Sequence, residues 1–126
     1  MPTAAVLIAL LCLVTVALAF NVSRERIKYR VPHGEGPNHE LARSIRAHMN
    51  SVEHLVPLGL LLVLAGTLGV AEEVVVGLGS AALLARLLIT AGILMKGRFV
   101  LRRWGAWGTY AIELMLVGYV MEAATR

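Results

Sequence analysis

The chain has 126 residues, of which 58% are hydrophobic, with a formal net charge of +4 and a single cysteine. Its mean hydropathy of +0.74 is far above that of a soluble domain of this size and excludes an ordinary water-soluble enzyme. A single cysteine excludes an intramolecular disulfide, and the length leaves no room for a soluble domain beside a membrane bundle.

The apolar residues lie in four blocks, each close to the roughly 20 residues that cross a hydrocarbon core of about 30 Å. They predict an all-α, integral membrane four-helix bundle that forms one domain. The predicted helices cover the ranges 2–20, 38–70, 73–97 and 103–125.

The first block ends in Ala17-Leu18-Ala19, which resembles a signal-peptide cleavage site. Its positive charges follow the apolar segment instead of preceding it, which favours a retained helix with its N-terminus outside. A polar loop is predicted next, and Asn38 at its end can cap the second helix. Four helix-breaking residues lie in this loop: Pro32, Gly34, Gly36 and Pro37.

The distribution of charge predicts the topology. Most of the twelve basic residues lie within 21–46 or 96–103, whereas the connection between the second and third blocks carries only Glu72 and Glu73. By the positive-inside rule both basic segments are cytoplasmic and both termini are outside. The positive run from 24 to 30 is then expected to face lipid headgroups rather than nucleic acid.

A polar stripe runs along the start of the second helix into its apolar part. At about 100° per residue its members fall within roughly 80° of one another. They are His39, Arg43, Arg46, Asn50, Glu53 and Pro57. Such a stripe must face something other than lipid. Because arginines on the stripe repel cations, the histidines do not predict a metal site.

Three charged residues are expected at membrane depth, where charge is costly and indicates function: Glu53, Arg86 and Glu113. Counting from the turns places Arg86 level with both carboxylates, so Glu53 and Glu113 are alternative ion-pair partners. Such a pair holds helices together or belongs to a cleft. A cleft that also contains Arg46 and Arg102 suits a small anionic ligand with amine and carboxylate groups.

Two patterns concern the last two helices. Gly77, Ala81 and Ala85 offer a small-residue face for close packing, although small residues are common in membrane helices generally. Aromatic residues at the start of the fourth helix are predicted to anchor it at the membrane interface: Trp104, Trp107 and Tyr110.

The sequence RAHMN at 46–50, followed by Glu53 and Pro57, resembles the helix-two signature of the MAPEG family, the membrane-associated proteins in eicosanoid and glutathione metabolism. The resemblance covers all four helices. Residues similar in type and spacing to further family positions are Ala85, Arg86, Thr90 and Arg102.

This resemblance implies a four-helix protomer in a homotrimer, with glutathione bound between subunits near the cytoplasmic face. Glutathione, a small anionic thiol, would be held by Arg46, Asn50 and Glu53 and supported by Arg86, and Arg102 would face its sulfur. A guanidinium beside a thiol favours the nucleophilic thiolate. The implied activity is transfer to a lipophilic electrophile or reduction of a lipid hydroperoxide. Similarity to the small bacterial members implies an inner-membrane location.

Two alternatives remain. Eicosanoid-forming members have helix-three tyrosines that contact glutathione, where this chain has Ile89 or Thr90 and Ile93, and His54 stands where a tyrosine often follows the helix-two glutamate. These differences favour a non-catalytic membrane scaffold of the same fold. A buried glutamate among four helices also suits a small proton-coupled exporter, although the first helix carries no charge.

Overall fold

The computed structural model describes residues 2–126. Its four α-helices are α1 (Pro2–Tyr29), α2 (His39–Thr67), α3 (Glu72–Leu94) and α4 (Phe99–Ala124). The predicted all-α four-helix bundle is confirmed, and no strand lies within the described residues.

Within residues 2–126, three helices are long and apolar enough to cross a membrane: α1, α2 and α3. The fourth helix, α4, has 26 residues, which corresponds to about 39 Å at 1.5 Å per residue. Its central part is less apolar than that of the other helices, because Trp104, Trp107, Tyr110 and Glu113 interrupt its aliphatic residues.

Helix α1 ends at Tyr29, well beyond residue 20, where the change in hydropathy predicts its end. The polar residues after Phe20 are compatible with a helix, and the helix-breaking residues begin only at Pro32. Arg30 has a φ of 56°, in the left-handed region, and ends the helix. The fall in hydropathy therefore marks where α1 leaves the apolar layer, not where the helix ends.

Helix α2 has a capped start and a proline in its interior. The Asn38 side chain accepts hydrogen bonds from the backbone N–H groups of Glu40 at 2.8 Å and Leu41 at 3.1 Å, which caps the helix. Pro57 lies inside α2 and has no N–H to donate to the carbonyl of Glu53.

Helix α3 packs along α4, and α1 packs along α2. Within residues 2–126, no Cα atom of α1 lies within 8 Å of a Cα atom of α4. Fully buried apolar side chains fill the centre of the core: Leu58, Leu62, Ala65 and Ala82.

Small residues let helices approach closely, but not on the face that the four-residue spacing predicts. Gly77 and Ala81 are exposed, and only Ala85 of that set is buried. The close approach of α3 to α4 instead occurs at Gly92 and Gly105. A Cβ added at either residue would lie within 2.5 Å of a backbone nitrogen of the other helix.

Candidate functional site

A cavity of about 390 Å³ lies between α2, α3 and α4, and we call it the Arg102 cavity. Its lining includes four of the five residues that the resemblance assigns to glutathione: Arg46, Asn50, Glu53 and Arg102. Three of them come from α2, where spacings of four and three residues place side chains on one face. Apolar residues form the opposite wall, chiefly Ile89 and Ile93 of α3 and Ala106 of α4.

A second, larger cavity of about 690 Å³, the outer cavity, adjoins the first near the α1–α2 loop. Glu35 of the loop and Arg46 of α2 line both cavities. The predicted stripe on α2 is therefore divided. His39 and Arg43 line the outer cavity, whereas Asn50 and Glu53 line the Arg102 cavity.

Arg86, the fifth predicted residue, lies behind the Arg102 cavity and is only 2% exposed. Its guanidinium Nη2 donates to the backbone oxygen of Asn50 at 2.9 Å and to Asn50 Oδ1 at 2.5 Å. Nη1 lies 3.4 Å from Thr109 Oγ1 of α4. Arg86 therefore fixes the Asn50 side chain and joins α3 to α2 and α4.

The ion pair expected between Arg86 and a carboxylate is not formed within the part of the chain described, with either Glu53 or Glu113. Glu113 Oε1 lies 2.8 Å from His54 Nδ1 instead. The His54 and Glu113 side chains are only 14% and 18% exposed. Counting residues from a turn gives the depth of a side chain but not the rotation of its helix, so it could not choose this partner.

Tyr110 lies on the wall of the Arg102 cavity, whereas the sequence pattern predicts only an interfacial anchor. Its ring centroid is 5.6 Å from that of His54, with the planes tilted by 55°. The spacing of three residues between Tyr110 and Glu113 is the signal that places both on one face of α4.

A polar cluster holds the ends of α1 and α2 together beside the outer cavity. The Tyr29 hydroxyl donates a hydrogen bond to Glu40, and Lys28 Nζ lies 3.3 Å from the same carboxylate oxygen. The hydrogen bond from Tyr29 and the charge of Lys28 lower the pKa of Glu40 below its ordinary value. The cluster fixes one wall of the outer cavity, because Tyr29 and Glu40 both line it.

The charges around the Arg102 cavity suit a ligand that carries both signs. Arg46 and Arg102 present fixed guanidinium groups for carboxylates or a thiolate, and Glu53 presents a carboxylate for an ammonium group.

The family model of the MAPEG family matches residues 4–121. The chain is 35% identical over 113 residues to the inner membrane protein YecN of Escherichia coli strain K12, which covers 90% of this chain and 83% of YecN. YecN of Escherichia coli O6:H1 matches with the same identity and coverage. This integral membrane protein therefore belongs to the MAPEG family.

Proposed function

We propose that this protein is a glutathione-dependent transferase or peroxidase that acts on lipophilic electrophiles. The observation that carries the proposal is that Arg46, Asn50, Glu53 and Arg102 line one cavity although they come from two helices. Membership of the MAPEG family supports it, because the family includes glutathione transferases and peroxidases.

The size and chemistry of the cavity fit a tripeptide thiol. Its volume of about 390 Å³ lies in the range of roughly 300–1,000 Å³ that is usual for small-molecule sites. Arg46 would bind a carboxylate and Glu53 the ammonium group, while Asn50 is held in place by Arg86. The apolar wall at Ile89 and Ile93 would accommodate a lipophilic second substrate.

Arg102 has the chemical role in this proposal. Its guanidinium would stabilise the thiolate form of the bound thiol, which is the form that attacks electrophiles. Arg102→Ala is expected to abolish turnover and to leave glutathione binding largely intact. Arg103→Ala is the matched control, because the neighbouring arginine does not line the cavity. Equal turnover in the Arg102 variant and the wild type would remove Arg102 from the mechanism.

Binding is the first experiment, by calorimetry of glutathione with the purified protein in detergent. We expect saturable binding that Arg46→Ala loses. Arg126→Ala removes the same charge at an exposed position outside the cavity and should bind as the wild type does. No binding at millimolar glutathione would contradict the proposal.

We also propose the homotrimer that the resemblance to the MAPEG family implies, and a carboxylate that α2 exposes within an apolar surface supports contact between protomers. Glu53 is exposed in the protomer, and so are Met49 and Val56 on either side along α2. A charge that faces lipid is costly within a membrane helix, by about 3 kcal/mol at the centre of the bilayer. A second copy against this face would remove that cost. Chemical crosslinking in native membranes should give trimers, and a ladder that stops at monomers would contradict the assembly.

The proposed orientation places both termini outside and the segments 21–46 and 96–103 in the cytoplasm. Single cysteines test it when they are introduced at Gly34 and at Thr125 in a Cys12→Ser background. A membrane-impermeant maleimide should label the second site, and not the first, in intact cells. The reverse pattern would contradict the orientation.

A second candidate is a non-catalytic scaffold of the same fold. It is favoured by the residues that stand where the eicosanoid-forming members have tyrosines, namely Ile89 or Thr90 and Ile93, of which Ile89 and Ile93 line the cavity. It predicts that Arg46→Ala and Glu53→Ala change stability in detergent without changing any response to glutathione.

A further inference from the structure

Neither His54 nor Glu113 lines the Arg102 cavity, yet the two form a pair within the membrane segments. Both side chains are more than four-fifths buried, and His54 Nδ1 lies 2.8 Å from Glu113 Oε1. Ionisable groups at membrane depth are costly and indicate a functional role. With an ionised Glu113, Nδ1 of His54 is the protonated nitrogen, and the carboxylate fixes the ring.

The fixed imidazole packs against Tyr110, which connects the pair to the Arg102 cavity. The two ring centroids are 5.6 Å apart with a tilt of 55°, the tilted arrangement that aromatic rings favour. Glu113 and Tyr110 are three residues apart on α4, so one helix face carries both. The contacts therefore run from Glu113 through His54 to a phenol on the cavity wall.

The Tyr110 hydroxyl is the only hydroxyl group among the residues that line the cavity. It makes no hydrogen bond to another residue within 2–126, so its proton is free for a ligand. Tyr110 lies eight residues after Arg102, which corresponds to about 12 Å along α4. The cavity thus has a cation at one end and a neutral proton donor further along the helix.

Resting on the proposed function, we infer that Tyr110 is a catalytic proton donor to the oxygen of a lipophilic hydroperoxide, and that His54, held by Glu113, is its positioning residue. A bond forms between the glutathione sulfur and the outer peroxide oxygen as the O–O bond breaks. The leaving alkoxide takes the electron pair of that bond and the Tyr110 proton, which gives an alcohol. The tyrosinate regains a proton from water. A second glutathione converts the sulfenic acid to a disulfide and water.

The test compares two electrophiles, because only one of them needs a proton for its leaving group. Reduction of cumene hydroperoxide releases an alkoxide as the leaving group, whereas substitution on 1-chloro-2,4-dinitrobenzene releases chloride. Tyr110→Phe keeps the ring and removes only the hydroxyl. We expect it to lower the ratio of hydroperoxide to aryl chloride turnover roughly 100-fold through kcat, which is a usual contribution of a general acid. Tyr119→Phe on the same helix lies outside the cavity and should leave the ratio unchanged.

Two variants of His54 test the positioning role. His54→Ala and His54→Phe both leave Glu113 without its partner, so the comparison between them isolates the ring beside Tyr110. We expect the turnover ratio to fall in the alanine variant and to recover in part in the phenylalanine variant. Equal ratios in these two variants would overturn the positioning role.

The outcomes separate this inference from the function on which it rests. A wild-type turnover ratio retained in Tyr110→Phe, with aryl chloride turnover intact, would overturn the assignment of Tyr110 and leave the transferase. No turnover of either electrophile by the wild type, with no glutathione binding, would overturn the proposed function and the assignment together.

Discussion

Gly92 is the point at which the spacing of α3 and α4 sets the position of Arg102. A Cβ added to Gly92 would lie 2.2 Å from the backbone nitrogen of Arg102 and 2.6 Å from its Cα. Both atoms belong to the backbone of α4, so no change of rotamer relieves the contact. Gly92→Ala therefore requires the two helices to separate at Arg102.

The size of the separation follows from the contact distances. Ordinary contact begins at 3.4 Å, so the nitrogen at 2.2 Å must move by about 1.2 Å, the difference between the two distances. Overpacking of this kind costs about 1–3 kcal/mol, and the helix propensity of alanine returns about 1 kcal/mol. A displacement of about 1 Å at a catalytic group can lower turnover roughly 100-fold.

Thermal unfolding in detergent and glutathione turnover measure the two consequences of Gly92→Ala. Gly118→Ala on α4 is the matched control, since a Cβ there meets no atom within 4 Å. The control should unfold at or above the wild-type temperature, whereas Gly92→Ala should unfold below it and lose turnover. A Gly92 variant as stable and as active as the control would refute the reasoning about helix spacing.

Three further predictions follow from single contacts. Arg86→Gln keeps a hydrogen-bond donor for Asn50 but removes a charge behind the cavity. Glutathione affinity measured by calorimetry should therefore fall about fivefold, on the order of 1 kcal/mol. An unchanged affinity would show that Arg86 stabilises the fold without contributing to binding. Thr15 Oγ1 lies 2.7 Å from Ser51 Oγ in the core, so Thr15→Val should lower the free energy of unfolding by about 1 kcal/mol while Thr15→Ser should not. The folded-state pKa of Glu40 is lowered. The stability that its contacts contribute is therefore complete at neutral pH and is lost as the pH falls from about 4.3 through the folded pKa. Over that pH range, hydrogen exchange of residues 30–38, corrected for intrinsic rates, should rise in the wild type and show no such step in Glu40→Gln.

The sequence alone was sufficient to predict the number of helices and the face of α2 that lines the site. Blocks of apolar residues give the number of helices because lipid demands a minimum span. Helical periodicity places Arg46, Asn50 and Glu53 on one face without any knowledge of their neighbours. Arg102 lies on another helix, so periodicity does not place it; the convergence of charged residues predicted it in the same cleft, and only the resemblance gave it a catalytic role, which stays a prediction.

Contacts between helices could not be predicted because they depend on rotation about each helix axis. Arg86 and Glu113 lie at matching depth by count, yet one bonds to Asn50 and the other to His54. Tyr110 fits two patterns, an interfacial anchor and a cavity wall, and composition cannot separate them. The end of α1 at Tyr29 was not predicted for a different reason, because hydropathy reports the membrane boundary and not the helix boundary.

Arg86 and Glu113 have different partners, and this affects the charge around the Arg102 cavity. Because Glu113 contacts His54 and no carboxylate within residues 2–126 pairs with Arg86, the charge of Arg86 is held by the neutral groups of Asn50 and Thr109. Hydrogen bonds of this kind stabilise a guanidinium without cancelling its charge. The Arg102 cavity therefore has behind it a buried cation with no direct ion-pair partner among residues 2–126, which Glu113 and Glu53 stabilise only from a distance, in addition to the two arginines on its wall. An anionic ligand would offset the cost of burying that cation, so the same interaction that fixes Asn50 also favours an anion in the cavity.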